Sequence, residues 1–400
     1  MASKRSTARH RNLKDGDMGK HRAGTGLVIR ERRIDVGWQV ELVEETSTDE
    51  GAEPLSWCSV VDVDVRIGQC ALPTGGIGGV GTHQAHRRKG YSRRVMDAAL
   101  ELMRREPYAL SFLHGIQDFY HKFGYITCMA EHEFALETES LQAAHPASSG
   151  LRFRALKRAD LPAIARLYNR DNVDRTGSCV RDPKTFGGFP KGTWWSYAAD
   201  ARVAIDGRER IVGYVVCNRV HEHCRVSEVS GRDGATYAAI VGYLARRARR
   251  GGHRHVWVNA PGDHPFAIYC RRLGQRLHSY YPRNEKPMGR IMDPTACLEG
   301  ILPVLANRWG QADRDQILTL RTEIGNLSVG WRAGRLSVLP TKGRGGIRLR
   351  QQELTLLLFG YARPSDLSAW NQASIPRDQR PLLERLFPLQ DAHMWWTDRF

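Results

Sequence analysis

Apolar residues fall on every second position in two early stretches of this chain. Ile34, Val36, Trp38, Val40 and Leu42 form the first; Leu55, Trp57, Val61, Val63, Val65 and Ile67, with a gap at Ser59, form the second. Period-two patterning predicts half-buried strands, and the acidic, turn-rich stretch from Glu44 to Pro54 predicts that they run antiparallel. Ile77 to Thr82 reads as a further strand, Ser92 to Glu106 as a helix with Val95, Ala99, Leu102 and Met103 on one face, and Tyr108 to Leu113 as a strand again. Antiparallel strands that lead into a strand–helix–strand unit exclude an all-helical bundle and predict a mixed sheet with helices packed on it.

The same order returns. Residues 139–150 have linker composition, and Leu151-Arg-Phe-Arg-Ala-Leu restarts an alternating strand ahead of a helix near Asp160-Leu-Pro. Strands follow at 201–220, 225–229 and 255–259, with a helix at 235–250 and a shorter one from Pro265 to Leu273, which reads as a diverged duplication. From about Pro294 the pattern changes to helix (297–309), paired strands (317–339), helix (352–361) and helix (380–386). The expected organisation is a basic tail at 1–24, sheet domains at 25–148 and 149–293, and an α+β domain at 294–400.

Composition bounds what such a chain can do. Of its 400 residues 41% are apolar and 26% charged, inside the globular range. No apolar run is long enough for a membrane span, and the first 24 residues lack the apolar core of a signal peptide, so a cytoplasmic, membrane-free protein is expected. None of the eight cysteines stands in C-x-x-C spacing, so reduced thiols are expected. The net charge of +17 is partly local to the tail, read as disordered, whose Lys4, Arg5, Arg9 and Arg11 would suit nucleic acid. A solvated arm is the preferred reading, and nucleic acid is not an expected partner.

Gly76-Ile-Gly-Gly-Val-Gly81 spells G-x-G-x-x-G, but a dinucleotide fingerprint needs its glycines to open a helix, and here the helix begins well downstream. Arg87-Arg-Lys-Gly-Tyr-Ser92 is the better anion site. It joins a strand to a helix N-terminus, where free backbone N–H groups, the positive end of the dipole, a glycine and three cations together suit a pyrophosphate.

The block from Gly75 through Tyr125 resembles the acetyl-CoA-binding core of the GNAT acetyltransferases. Arg87, Gly90 and Ser92 fill the family's loop pattern, and Phe119-Tyr-His-Lys-Phe-Gly-Tyr125 is similar to the helix that carries its catalytic tyrosine. With the tandem halves, a sterol-carrier-like C-terminal domain and an ending in Asp-Arg-Phe400, residues 55 to 400 resemble the "enhanced intracellular survival" aminoglycoside acetyltransferases. The resemblance implies an α/β fold of two tandem GNAT-like mixed-sheet domains followed by a sterol-carrier-protein-2-like α+β domain. It implies acetyl-CoA as co-substrate, a primary amine of an aminoglycoside or polyamine-like molecule as acceptor, and a homo-oligomer, often a hexamer. Val80, Gly81, Thr82, Arg87, Arg88, Lys89, Gly90, Tyr91 and Ser92 would hold the cofactor, with backbone N–H groups near Val80 facing the oxyanion. The Phe400 α-carboxylate would accept the amine proton through water, and Tyr125 would protonate the leaving thiolate. Their ordinary pKa values, about 3.3–3.7 and about 10, leave the first ionised and the second protonated at neutral pH.

The corresponding stretch of the second half, Glu228-Val-Ser-Gly-Arg-Asp-Gly234, has one basic residue offset by Asp233, and no acetyl-CoA is expected there. In His221-Glu-His223-Cys224 alternate strand positions put both imidazoles on one face, as metal ligands can stand, but no fourth ligand has suitable spacing, and no metal is expected. His83 and His86 beside the loop read as solvated. Residues 25 to 54 carry only strand and turn signals where family members begin with two acceptor-lining helices. The alternatives are peptide or protein lysine acetylation and a non-catalytic acyl-CoA or lipid-binding protein.

Overall fold

The computed structural model describes residues 22–23, 26–45, 53–143, 150–219 and 222–400. Nearly all of the basic tail, most of the acidic stretch at 44–54, the centre of the 139–150 linker and His221 lie outside the described residues. The chain divides into two compact units, Met1–Val60 with Gly79–Ala99, and Val61–Gly78 with Leu100–Phe400. The division falls inside strand Ser56–Ile67, strand Cys70–Thr82 and helix Tyr91–Arg105.

In the first unit, the stretch read as one strand from Ile34 to Leu42 spans the turn of a hairpin and most of its second strand. Leu27–Ile34 and Gly37–Glu44 pair antiparallel from Leu27↔Glu44 to Ile34↔Gly37, leaving Val36 exposed at the tip. The alternation misled because Arg30, Glu31, Arg32 and Arg33 mask the first strand. Register places Arg30 opposite Glu41, and the two form an ion pair at 2.8 Å. Among the described residues of 25–54 no α-helix occurs. Leu55 N donates to Leu42 O at 2.8 Å, joining the next strand's approach to this hairpin.

In the second unit, strand Leu110–Gly115 pairs parallel with Cys70–Thr82 from Thr74↔Leu110 to Ile77↔Leu113. On its other side runs Lys286–Ile291, antiparallel, which also pairs with Ile126–Thr127. A seven-stranded sheet follows the order Gln275–Tyr280, Glu131–Glu137, His255–Val258, Cys224–Gly231, Ile211–Asn218, Ala199–Ile205, Arg152–Ala155. Sheet membership crosses residue 148 in both directions. Glu131–Glu137 lies among strands of the later half, and Lys286–Ile291 returns to those of the earlier one. The linker composition at 139–150 concealed a short helix, Thr138–Ala143, which buries Leu141.

Beyond residue 293, three antiparallel strands and a parallel fourth (Ile317–Thr322, Gly325–Arg332, Arg335–Leu339, Ile347–Arg348) form a small sheet. Helix Pro294–Arg308 opens on Asp293, whose carboxylate accepts from Thr295 N and Ala296 N at 2.8 and 3.0 Å. Helix Gln351–Leu358 buries Leu354, Leu356, Leu357 and Leu358 in the core. All eight cysteines are buried free thiols, and no helix among the described residues is long and apolar enough to cross a membrane.

Candidate active site

The C-terminus is built into the interior of the second unit. Trp395 is fully buried and donates its indole N–H to Asn172 Oδ1 at 3.0 Å. Asp398 accepts from Arg181 Nε at 2.8 Å and from the Tyr168 hydroxyl at 2.7 Å. Arg181 makes a second, bidentate pair with Glu228 at 2.7 and 2.6 Å and lies 3.7 Å above the Tyr168 ring. Burial works against the Arg181 charge, but Asp398 and Glu228 outweigh it and raise its pKa well above the ordinary value. Burial pushes the Asp398 carboxyl up, against the pull of Arg181. Arg399 pairs with Glu131 at 2.6 Å, and its carbonyl accepts from Lys191, whose pKa burial lowers to about 8.

Phe400 comes to rest on strand Cys70–Thr82. A Cβ on Gly76 would stand 2.5 Å from two Phe400 ring carbons, and one on Gly78 would stand 2.8 Å from the carboxyl carbon. The two glycines, alternate residues on one face of the strand, are the floor on which the terminal residue lies. The Phe400 ring meets Phe112 edge-on, with centroids 6.5 Å apart. This explains two of the three glycines of the G-x-G-x-x-G pattern without a nucleotide.

Tyr125 does not sit on a helix, as its resemblance implied. Tyr120–Phe123 is a single 3-10 turn, closed by Gly124 at φ +80, and Tyr125 follows it. The Gly124 carbonyl accepts from Gln351 Nε2, which anchors the turn to the start of the Gln351 helix. Tyr125 is 1% exposed, and its hydroxyl lies 2.6 Å from Ser111 Oγ, which donates to Gly75 O at 2.8 Å. Ser111 and Phe112 are successive strand residues, so the Tyr125 hydroxyl and the Phe400 ring lie on opposite faces of the sheet. The strand ladder ends at Ile77↔Leu113, and Gly78 and His114 follow its last pair. His114 shares a face with Phe112, their rings 5.5 Å apart, and neither ring nitrogen has a partner among the described residues. Burial, then the nearby charges of Arg399 and Lys191, holds its pKa well below the usual histidine value.

The residues expected to grip the cofactor are all in the first unit. Val80, Gly81 and Thr82 end strand Cys70–Thr82 and are half-buried. The preceding Gly79 takes φ +57 within the strand, a left-handed conformation that glycine adopts at no steric cost. Gly81 leaves room for the Trp57 ring, and its carbonyl accepts from Ser56 Oγ at 2.8 Å. Arg87, Arg88, Lys89 and Gly90 form an exposed turn, and Tyr91 and Ser92 begin the helix. Arg88 and Gly90 both have left-handed backbone, φ +64 and +78, and the space around Gly90 is open. Among the described residues no carboxylate pairs with the three cations, so they remain available to an anion. His86 stacks on Tyr91 with centroids 6.0 Å apart, and His83 pairs with Glu53 at 3.1 Å.

The corresponding helix of the second half begins differently. Asp233 caps helix Gly234–Arg250, accepting from Thr236 N at 2.9 Å and Thr236 Oγ1 at 2.8 Å. Its carboxylate occupies the position an incoming phosphate would take. His223 is half exposed, and among the described residues no group of three metal-ligating side chains forms.

Residues 51–128 match the family model of the acetyltransferase (GNAT) domain. The chain carries a GNAT acetyltransferase domain. The match ends just past Tyr125, so it includes the cationic turn, Gly76, Gly78 and Ser111. The whole fold is similar to a GCN5-related N-acetyltransferase from Kribbella flavida, with TM-score 0.67, 18% identity, and coverage of 90% of this chain and 88% of that one. One from Anabaena variabilis gives TM-score 0.70, 16% identity and coverage of 90% and 89%. Eis1 from Mycobacterium abscessus gives TM-score 0.60, 14% identity and coverage of 92% of both chains. No curated protein matches the sequence at a significant level. Acetyl transfer from acetyl-CoA is the chemistry of this domain family, and the open cationic turn ahead of the Tyr91 helix suits that cofactor's diphosphate.

The sequence reading missed Arg181, Glu228 and Asp398, which hold the terminus. One signal was available: Glu228 stands between Val226 and Val229 in a strand that is otherwise buried, and a carboxylate there needs a cation.

Proposed function

We propose that this protein is an acetyl-CoA-dependent N-acetyltransferase acting on a primary amine of a small molecule. The observation that carries the reading is the seat of Phe400, whose carboxyl carbon lies against Gly78 just past the end of the Ile77/Leu113 ladder. A thioester reaching between the strands there would meet Tyr125 on one face and the terminal carboxylate on the other. The amine attacks the thioester carbonyl; its proton passes to the Phe400 carboxylate through water, and the tetrahedral intermediate expels the thiolate, which takes the Tyr125 proton. Ser111, bonded to both Tyr125 and Gly75, fixes the direction of that hydroxyl. Arg87, Arg88 and Lys89 hold the diphosphate, with the helix N-terminus behind them.

The test is a calorimetric titration with acetyl-CoA followed by a free-thiol release screen over primary amines. Saturable acetyl-CoA binding with amine-dependent thiol release supports the reading. Absence of acetyl-CoA binding, or release that no amine accelerates, refutes it.

A further inference from the structure

A cavity of about 840 Å³ opens in the second unit beside the docked C-terminus, within the size range of small-molecule sites. Trp194, Tyr197, Tyr280 and Trp396 line it, and the Trp194 and Trp396 rings lie 5.2 Å apart. Trp194 and Tyr280 are 45% and 53% exposed, an unusual cost for large rings unless something covers them. Two acceptor atoms in the same lining have no donor among the described residues. Asn259, only 8% exposed, leaves Oδ1 unpartnered; Glu131 leaves Oε1 unpartnered while its other oxygen holds Arg399. Buried acceptors of this kind call for an N–H donor.

The charges narrow the ligand. Arg225 and Lys286 line the cavity with Glu131 and Glu133, and Glu131 also holds Arg399, so no net negative charge remains. Glu133 is already paired with Arg225 at 2.8 Å, and Lys286 Nζ stands 5.7 Å over the Trp194 ring. A polycation would bring charge that nothing here neutralises. One amine with a flat apolar body would satisfy the two acceptors and cover the rings.

We infer that this cavity binds a singly charged primary amine with an aromatic body, its N–H groups on Glu131 Oε1 and Asn259 Oδ1 and its ring among Trp194, Tyr197, Tyr280 and Trp396. As the acceptor site it rests on the acetyl-transfer reading, and Glu131 ties it to Arg399, the residue before Phe400.

Calorimetry with 2-phenylethylamine, spermidine and 2-phenylethanol tests the inference on the full chain. The expected result is that 2-phenylethylamine binds at least about tenfold more tightly than either of the others, and that Trp194→Ala and Asn259→Leu each weaken it about tenfold. Trp194 is exposed enough for its variant to fold, so the test does not depend on the buried asparagine. Spermidine binding as tightly as 2-phenylethylamine, or binding indifferent to Trp194→Ala, overturns the inference. Thiol release separates it from the reading above. Binding that follows the variants with no thiol released from acetyl-CoA keeps the cavity and removes the reaction. Thiol release with an amine KM unmoved by Trp194→Ala keeps the reaction and removes the cavity.

Discussion

Gly76→Ala isolates the seat of the terminal residue from everything else in the site. Gly76 has no left-handed backbone, so alanine brings no conformational strain, only one methyl group. That methyl would stand 2.5 Å from two Phe400 ring carbons and 2.8 Å from a third. Carbon atoms rest about 3.5–4.0 Å apart, so the ring must withdraw by about 1 Å. It cannot withdraw freely, because Asp398 and Arg399 are pinned by Arg181 and Glu131. Overpacking of this kind costs about 1–3 kcal/mol of stability. Displacing a catalytic group by about 1 Å costs about 10²-fold in rate. Urea unfolding, thiol-release kinetics and acetyl-CoA calorimetry on one preparation give the three numbers. The expected outcome is kcat lower by about 10²-fold, stability lower by about 1–3 kcal/mol and acetyl-CoA affinity within about twofold. In a Phe400→Leu background the kcat loss should shrink, since a flexible side chain can bend away. A Gly76→Ala enzyme with unchanged kcat would refute the idea that the placement of Phe400 matters.

Three other outcomes follow from the same structure. Arg181→Met strands Glu228 and Asp398 without their cation and should lower stability by about 3–5 kcal/mol in urea unfolding, with turnover falling alongside. Burial pushes the His264 pKa down to about 3, and His132, His393 and His114 move the same way, so the native state binds fewer protons than the unfolded chain below the ordinary value near 6.5. Stability should therefore fall as pH drops below 6.5, with His264 contributing about 1.4 kcal/mol per pH unit down to about pH 3. His264→Asn keeps an N-cap acceptor for Phe266 and should flatten that slope by one proton's worth, read from urea midpoints at pH 4 to 7. Arg88→Ala and Gly90→Trp should each weaken acetyl-CoA binding by about tenfold or more in calorimetry while leaving amine affinity alone.

Period-two alternation made most of the strands readable, because each strand's pattern reports its own burial. It did not report partners. Nothing in Glu131–Glu137 or Lys286–Ile291 says that each pairs with strands from the opposite half, since pairing is a property of two distant segments. The means of docking the C-terminus were not legible, because they lay 217 and 169 residues away, in Arg181 and Glu228. Gly76 and Gly78 were conspicuous in the sequence, but their purpose is steric and needs Phe400 in place to be seen. The cationic turn was legible because its chemistry is local, as was the opposing charge of Asp233 in the second half, though not its capping bonds to Thr236.

Deleting Phe400 alone is the most direct trial of the account. With acetyl-CoA and an accepted amine, the chain ending at Arg399 should release thiol at least about 10²-fold more slowly than the full chain, while calorimetry finds its acetyl-CoA affinity within about twofold. Equal rates from the two chains would contradict it.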